Sequence, residues 1–582
     1  MQGHCSPIQR HVSDSLGRRS ALAILAIAFV YCLALAPLAV TYLAYHPDER
    51  HYTDGAILMV HSGDYLTPRD PDGTPRFLKP AICYWIIAAS YQLFGISSFS
   101  SRLPFLLLGG GVIVLSALIA FRATRHRSVA HLTALIMATN PLLVLASIYS
   151  LTDVVQIFCL LLSLLGWILL LRDPDSRSAP WWICIGTSLA IATKGVPGVL
   201  LATYAILFLR YNPWRRISLR RSAWIAPCLV GTIIASDWYL AMFLQHGTDA
   251  WACFFEDQVN SRIPLKWWHP LRQIPLAPLL YLALLFPWSL PVLRSFRSNI
   301  RPQLPQLPPD QKLILAFLAG WPLLLLAPLS VISPFTVRYF LLATPMLAIL
   351  CAWFWNQLPE WEYLPRVRTW RTRILSGVSV AIGAAALFLM LNRAHWTWPL
   401  YAATLILFGV GAVALRRVRN PRTRRCAGLA GGFLIFFPLL FTIAAPLGLP
   451  DQAEAIAARL ENAIPADQQP EIWFVGKPAM AAKMRVYLHD SHPFHSAEAL
   501  TLEHLPTGPQ TWVICRQEDA EQGLDPRLYQ WETASHGYKD LKPGEMFLAL
   551  WHGTLDRYLA TRQQAFVIAR PKPAEQCVSA AE

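Results

Sequence analysis

A run of charged side chains stands where a long apolar segment of the chain ends. Residues 21 to 45 are apolar, and they are followed at once by Asp48, Glu49, Arg50 and His51. Charge at the mouth of a membrane-length segment is costly unless it is used. Later in the same stretch, Lys79 and Pro80 open a second apolar run. Acids and a base are therefore held near one membrane surface, which predicts a site rather than a linker.

Composition predicts an integral membrane protein. It is 54% apolar and 15% charged, with a mean hydropathy of +0.37, whereas soluble proteins of this size carry about 25% charged residues. The net charge of +15 resides in arginine clusters that alternate with apolar segments, which is typical of cytoplasmic loops and not of nucleic-acid binding. The 11 cysteines are scattered singly and define no metal site. Whether Cys515 and Cys577 form a disulfide is left open.

Segment lengths predict an α-helical protein that crosses the membrane about thirteen times. The candidate spans are 21–45, 103–121, 129–149, 152–171, 180–193, 196–209, 223–244, 275–293, 313–330, 338–356, 374–391, 397–415 and 427–447. The first is expected to be an uncleaved anchor, because it is longer than a signal-peptide core and Pro37 follows the tempting Ala34-x-Ala36 site. The two short spans that meet at Lys194 and Gly195 favour a helical hairpin, with one longer broken helix as the alternative.

Loop charges predict the orientation. With the N-terminus inside, the cytoplasmic loops hold roughly 27 Lys and Arg against roughly 11 in the outer loops before residue 450. The charged residues near span ends that lie outside the arginine-rich loops then all face the external side; they are Asp48, Glu49, Arg50, Lys79, Asp153, Lys194, Glu256 and Arg338. Charges that converge on one face are what an active site at a membrane surface requires.

The C-terminal part has a different composition. From residue 449, charge rises and short β-rich runs appear at 471–476, 485–489, 511–516, 545–551 and 565–570, beside a helical candidate from Asp451 to Ala463. We therefore predict a transmembrane domain over 1–448, with an external loop at 46–102, and a small external α/β domain over 449–582.

The loop also resembles a known family. Its Asp-Glu pair with a following aromatic, Gly63-Asp64-Tyr65 and Lys79-Pro80 before an apolar helix are similar to the first external loop of the GT-C-type membrane glycosyltransferases, which use polyprenyl-phosphate sugars. The nearest relatives in pattern are the bacterial lipid A aminoarabinose transferases and the protein O-mannosyltransferase-like proteins. The resemblance covers about residues 21 to 350 and implies transfer of a sugar from a lipid phosphate.

Two acids match the catalytic positions that this resemblance implies. Asp48 corresponds to the first acid of the Asp-Glu motif, where it would orient or deprotonate the acceptor; the alternative is a helix N-cap. Asp153, at the outer end of its span, corresponds to a second functional acid, and capping is again the alternative.

The remaining candidates are expected to bind the donor. Lys79 precedes a helix whose N-terminus would add its dipole to a phosphate site, with a snorkelling lysine as the alternative. Arg338 and Tyr339 match a basic residue and tyrosine of the family, and Lys194 matches its Thr-Lys-Gly turn, where the role could be structural. The other predicted substrate-binding residues are Glu49, Arg50, His51, Glu256 and Arg262.

Two departures from the lipid A enzymes argue against a metal. Those enzymes often have an acid where this chain has Leu78, and usually a histidine where it has Asp257. With fewer possible ligands, no metal and no other cofactor is expected at the site.

These features together predict an inverting glycosyltransferase of the bacterial inner membrane with a periplasmic C-terminal domain. Its expected partners are a polyprenyl-phosphate-linked sugar and an envelope lipid, glycan or protein as acceptor. A transporter or lipid flippase is the alternative, but transporters show internal repeats and charges near the midplane. A scaffold protein would leave the aligned charges unexplained. The sugar, the acceptor and the oligomeric state are not determined by the sequence.

Overall fold

The fold is known from a computed structural model that describes two parts of the chain, one helical and one containing a sheet. The described residues are 15–42, 45–217, 219–249, 275–331, 336–358, 451–465, 467–498, 510–538 and 552–572, with short pieces at 252, 256, 426–428, 430–434, 545 and 548–549.

The helical part contains the membrane-spanning segments. Its helices are α1 (Arg18–Val40), α2 (Glu49–Ser62), α3 (Ile82–Phe94), α4 (Ser98–Thr124), α5 (Arg127–Ala138), α6 (Pro141–Ile148), α7 (Thr152–Arg172), α8 (Ala179–Lys194), α9 (Val196–Tyr211), α10 (Ile225–His246), α11 (Leu276–Leu284), α12 (Ser289–Ser295), α13 (Pro309–Val331) and α14 (Thr344–Gln357). Within the described residues, five helices are long and apolar enough to cross a membrane, or up to seven segments if two bent pairs are counted. The protein is therefore a multi-pass membrane protein.

Several predicted spans match these helices, and others differ in shape. Spans 21–45, 103–121, 152–171, 223–244 and 313–330 each fall on one long helix. Span 129–149 is bent by 60° between α5 and α6, because Asn140 caps a new helix and Pro141 begins it. Span 275–293 is also bent, by 115° after α11. At the start of span 338–356, Val337–Leu342 forms a 3-10 turn before α14 begins.

Some of the predicted spans fall outside the described residues. These are 374–391 and 397–415, together with most of 427–447.

The hairpin predicted around Lys194 is confirmed. α8 ends at Lys194, the chain turns at Gly195 with φ of +72°, and α9 begins at Val196. A Cβ placed on Gly198 would lie 3.0 Å from the carbonyl oxygen of Thr187. In one continuous helix these two residues would be about 16 Å apart, so α9 must fold back along α8.

α8 also packs very closely on α7. A Cβ on Gly186 would collide with the backbone of Ser163, so a side chain at this position would force the two helices apart. This close approach brings the end of α8, and with it Lys194, beside the beginning of α7.

The C-terminal part is a five-stranded sheet with helices. Its elements are α15 (Gln452–Ala463), β1 (Glu471–Val475), α16 (Pro478–Tyr487), β2 (Phe494–Ala497), β3 (Thr511–Arg516), α17 (Gln517–Gly523), β4 (Tyr529–Tyr538), α18 (Leu555–Ala560) and β5 (Gln563–Pro571). The strand order is β2-β1-β3-β5-β4. β1 is parallel to β2 and β3, and β5 is antiparallel to β3 and β4.

Most of the strand predictions in this part hold. The runs predicted at 471–476, 511–516 and 565–570 fall on β1, β3 and β5. The helix after Asp451 is confirmed, and the Asp451 carboxylate accepts from the Ala453 N–H. The strand expected at 485–489 was wrong, because this short run completes the helix that Pro478 begins. The strand expected at 545–551 was also wrong where it is described, since residues 545, 548 and 549 are helical.

The C-terminal part packs on the loop helix α2 through α16. The Tyr487 hydroxyl accepts a hydrogen bond from the Tyr42 N–H at 2.7 Å and lies 3.0 Å from Asp451 Oδ2. His61 of α2 lies 2.9 Å from Asp490, just after α16. Burial of Asp54 in α2 raises its pKa to about 7, although the positive charge of Arg485 acts in the opposite direction.

The buried Asp54 predicts a pH-dependent stability. Because its pKa is higher in the folded protein than in the unfolded chain, the folded state loses stability as the pH rises from about 4 to about 7. Asp54→Asn should therefore raise the free energy of unfolding by up to about 4 kcal/mol at pH 8 but by only about 1.5 kcal/mol at pH 5. Thermal unfolding at both pH values measures this difference.

The matched control for Asp54 is Glu461→Gln, which removes an exposed carboxylate of α15. It should have the same small effect at both pH values. An equal gain at pH 5 and pH 8 for Asp54→Asn would contradict the assignment.

Candidate active site

Arg338 and Asp48 form the most accessible part of the site. Arg338 lies in the 3-10 turn before α14, and Asp48 occupies the N-cap position of α2. Arg338 Nη2 donates to Asp48 Oδ2 at 3.0 Å, although the two residues are 290 positions apart in the chain. The Asp48 carboxylate makes no capping hydrogen bond. It is directed at the arginine, and its side chain is 48% exposed.

Asp153 and Lys194 continue this chain of charges into the protein. Lys194 Nζ donates to Asp153 Oδ1 at 2.8 Å, and Asp153 Oδ2 lies 3.7 Å from Arg338 Nε. Asp153 stands in the first turn of α7, whose N-cap residue Leu151 has no side chain able to cap. Both members of this pair are largely buried. The alternation of acid and base therefore runs from Asp48 through Arg338 and Asp153 to Lys194.

Two ring side chains flank the charges. His46 Nδ1 accepts from the Asp48 N–H at 3.2 Å, and its Nε2 lies 3.3 Å from Arg338 Nη1. Burial and the charge of Arg338 lower the pKa of His46, so its ring is neutral at pH 7. The Tyr339 ring lies 4.6 Å from Lys194 Nζ and 5.8 Å from the Arg338 guanidinium carbon, within cation–π range of both.

The charges also set the protonation of Asp48 and Arg338. Burial raises the pKa of Asp48, but the hydrogen bond from Arg338 and nearby positive charge outweigh it, so the pKa is lowered overall. Burial lowers the pKa of Arg338, but Asp153 and Asp48 outweigh that effect and raise it. Asp48 is therefore a carboxylate and Arg338 a cation at neutral pH.

Glu49 belongs to a different, fully buried ion pair. Arg102 donates to both of its carboxylate oxygens, at 3.1 and 2.6 Å, and the Ser150 N–H donates to Oε1 at 2.6 Å. Neither side chain of the pair is exposed. The structure gives Glu49 a buried partner that ties helices together, and its binding of substrate stays a prediction. Arg102 was missed, although an arginine one residue before a predicted span was a usable signal.

The other predicted residues lie in several places. His51 pairs with Asp70 at 3.1 Å and accepts from Arg50 at 3.3 Å. Lys79 is half-buried and lies just before α3. Cys83, in the first turn of α3, lies within electrostatic range of Asp153 and Lys194. The start of α3 is therefore near the acid–base cluster. Glu256 is exposed, and Arg262 lies outside the described residues.

The arrangement supplies an exposed carboxylate beside a cation. Arg338 can hold a phosphate through the planar fork of its guanidinium, because 30% of its side chain is exposed. The carboxylate of Asp48 can orient or deprotonate a hydroxyl. In the part of the chain that is described, no three His, Cys, Asp or Glu side chains are grouped so as to hold a metal ion.

The Glu49–Arg102 pair predicts a large stability effect. Arg102→Met leaves a buried carboxylate unpaired, so the free energy of unfolding should fall by roughly 3 to 5 kcal/mol. The double variant Arg102→Met/Glu49→Leu should recover part of the loss, because no isolated charge remains. Thermal unfolding in detergent measures both.

A partly exposed pair provides the control for this experiment. Arg69 lies 3.4 Å from Asp64, with about a third of each side chain exposed, so Arg69→Met should cost less than about 1 kcal/mol. The buried pair would lose its assigned role if Arg102→Met were no more destabilising than Arg69→Met.

Part of the chain is similar to a family of sugar transferases. Residues 20–250 match the family model of the dolichyl-phosphate-mannose-protein mannosyltransferases, a range that includes Asp48, Asp153 and Lys194. The chain is 25% identical over 431 residues to a protein of Aquifex aeolicus, covering 68% of this chain and 81% of that one.

A second relative has a named activity. It is the undecaprenyl phosphate-alpha-4-amino-4-deoxy-L-arabinose arabinosyl transferase of Pseudomonas paraeruginosa, which is 31% identical over 330 residues. That alignment covers 54% of this chain and 55% of the transferase, so the match spans about half the length of the relative.

The fold has a solved counterpart. A crystal structure of ArnT from Cupriavidus metallidurans, bound to undecaprenyl phosphate, has a TM-score of 0.61 and 17% sequence identity to the chain. The match covers 94% of this chain and 97% of that one, so the two proteins share a fold through most of their length.

Proposed function

We propose, from the premise that the chain is a GT-C-type membrane glycosyltransferase using a lipid-phosphate-linked sugar, that it transfers the sugar from a polyprenyl monophosphate, such as undecaprenyl phosphate, with inversion. The acceptor is a cell-envelope lipid, glycan or protein. The observation that carries the proposal is the contact between Arg338 and Asp48, which sets a phosphate-binding cation beside a partly exposed carboxylate.

The proposed reaction is a single displacement. The acceptor hydroxyl oxygen attacks the anomeric carbon of the sugar, and the bond from that carbon to the phosphate oxygen breaks. The proton of the hydroxyl passes to Asp48, and the departing phosphate leaves on the polyprenyl carrier. Attack from the face opposite the phosphate inverts the configuration.

Arg338 and Lys79 are assigned to the phosphate. Arg338 is the more exposed cation of the described cluster, with 30% of its side chain accessible against 14% for Lys194. A charge-assisted hydrogen bond to the leaving oxygen stabilises the negative charge that develops there. Lys194 is assigned a positioning role, because it is held by Asp153 and Tyr339.

Donor binding would also adjust Asp48 for its task. In the free protein the hydrogen bond from Arg338 helps to keep the pKa of Asp48 low, which makes the carboxylate a weak base. If a phosphate accepts some of the hydrogen bonds that Arg338 now donates to Asp48, the pKa of Asp48 rises. The base would then become effective only when the donor is in place.

The proposed location rests on the charges of the loops. The proposed site opens on the outer face of the bacterial inner membrane, and residues 449–582 form a periplasmic domain. The arginine-rich loops support this orientation. None of the relatives named above is a transporter, so the transporter alternative gains no support.

Asp48→Asn tests the proposed base. Turnover should fall by about 10² or more, because the carboxylate that accepts the proton is lost. Helix α2 should be unaffected, since Asp48 makes no capping bond. The assay is transfer of radiolabelled sugar from a synthetic polyprenyl phosphate donor to cell-envelope extracts, with donor affinity measured separately.

Two variants accompany this test. Asp72→Asn removes an exposed carboxylate of the same loop and should keep near-normal turnover. Arg338→Gln should weaken donor binding by about tenfold or more, as expected for a lost charge-assisted contact. Near-normal turnover in Asp48→Asn would transfer the proposed role to Asp153.

Reporter fusions test the proposed orientation. A reporter that is active only outside the cytoplasm should be active after Glu582 and silent within residues 210–221, because that loop is rich in arginine. The opposite pattern would place the Asp48 site on the cytoplasmic face.

A further inference from the structure

A cavity of about 420 Å³ lies at the opposite end of the helical part from the acid–base cluster. It is formed where α4 and α7 end and where α8 begins. Asp153 stands in the first turn of α7 and Arg172 at its last position. Nineteen residues of helix span about 28 Å, close to the roughly 30 Å thickness of a bilayer core. The cavity therefore opens at the other membrane surface.

The lining of this cavity is positively charged. Arg122, Arg125 and Arg172 contribute three cations, and Asp173 contributes the one carboxylate. The polar wall also includes the hydroxyls of Ser176 and Ser178. Its apolar wall consists of Leu118, Leu165, Leu169 and Trp182.

Arg172 is held in place by the backbone of α4. Its Nε donates to the carbonyl oxygen of Arg122 at 3.2 Å, and its Nη2 donates to that of Ala123. These are carbonyls at the C-terminal end of α4, where a cation is favoured. A guanidinium fixed in this way loses little further freedom when it binds a ligand.

We propose that this cavity binds the phosphate of an anionic phospholipid headgroup. Basic pockets between helix ends at a membrane surface suit such headgroups, and arginine forks match phosphate oxygens. The leucine wall and the 40% exposed Trp182 suit the glycerol and upper acyl region of a lipid, which a free phosphate lacks. The site is separate from the proposed sugar transfer and requires no substrate of that reaction.

The surroundings extend this surface. Residues 174–177 of the same loop line a second cavity of about 360 Å³. Its lining includes Arg177, Arg220 and Trp181, with Asp175 as its carboxylate. Trp181 and Trp182 both stand in the first turn of α8, one facing each cavity. Arginine and tryptophan thus line cavities on both sides of one loop.

Native mass spectrometry of the purified full-length protein tests the proposal. Short-chain phosphatidylglycerol is added in detergent, and the bound lipids are counted as a function of concentration. The variant Arg122→Gln/Arg125→Gln should bind about 25-fold more weakly, because each arginine contributes about fivefold at a membrane surface. Arg172 is kept, since it caps α4.

The control removes the same charge elsewhere. Arg216→Gln/Arg297→Gln replaces two exposed arginines that line neither cavity, and its affinity should change less than about threefold. Both variants are first shown to keep the thermal unfolding midpoint of the unmodified protein.

Three outcomes would overturn the proposal. The first is an equal loss of affinity in the two variants, which would mean that only diffuse surface charge attracts the lipid. The second is phosphatidylcholine binding as tightly as phosphatidylglycerol. The third is inorganic phosphate binding as tightly as the lipid, which would assign the cavity to a free anion instead.

Discussion

The buried pair of Glu49 and Arg102 is the constraint on which the site depends. Arg102 also donates to the carbonyl oxygens of Leu38 and Thr41, at 3.2 and 2.6 Å, and lies 4.5 Å from the Tyr42 ring. One arginine of α4 thereby fixes the end of α1 and the beginning of α2. Two charges without solvent are stable only when both are fully paired and hydrogen-bonded, so this geometry has little freedom. Asp48 precedes Glu49, and its position follows from that of the pair.

The charges of the acid–base cluster are also paired, but unlike Glu49 and Arg102 some of them are exposed. Asp153 and Lys194 are paired inside the protein, whereas Asp48 and Arg338 reach the surface. The buried members hold the tip of the α8–α9 hairpin and the start of α7 in register. The surface members are the ones that a ligand can reach. A gradient of burial across four charges therefore separates the residues that position the site from those that can meet a substrate.

The sheet-containing part is tied to this site through α2. Tyr487 bonds to the Tyr42 backbone, and His489 lies 2.7 Å from the Ile96 carbonyl oxygen ahead of α4. These contacts flank the residues that Arg102 holds. The sheet-containing part therefore contacts the chain on both sides of the segment that carries Asp48.

Much of this organisation could be predicted from the sequence. Hydropathy and length predict which segments cross the membrane, and position near the ends of such segments identifies Asp48, Asp153 and Lys194 as unusual charges. The turn at Gly195 and the helix after Asp451 could likewise be predicted, because a few neighbouring residues determine each of them. The bends after α5 and α11 were not found, because an apolar run has the same hydropathy whether it is straight or broken.

Only the tertiary structure decided which charge pairs with which. Glu49 and Asp48 are neighbours of the same type, yet one is sealed against Arg102 and the other faces Arg338. Those partners lie 53 and 290 residues away, and no local pattern encodes such distances. Hydropathy predicts how deep in the membrane a charge lies but not which helix lies beside it. Pairing depends on how the helices pack side by side. Here that packing includes the close approach of α7 and α8 and the α8–α9 hairpin.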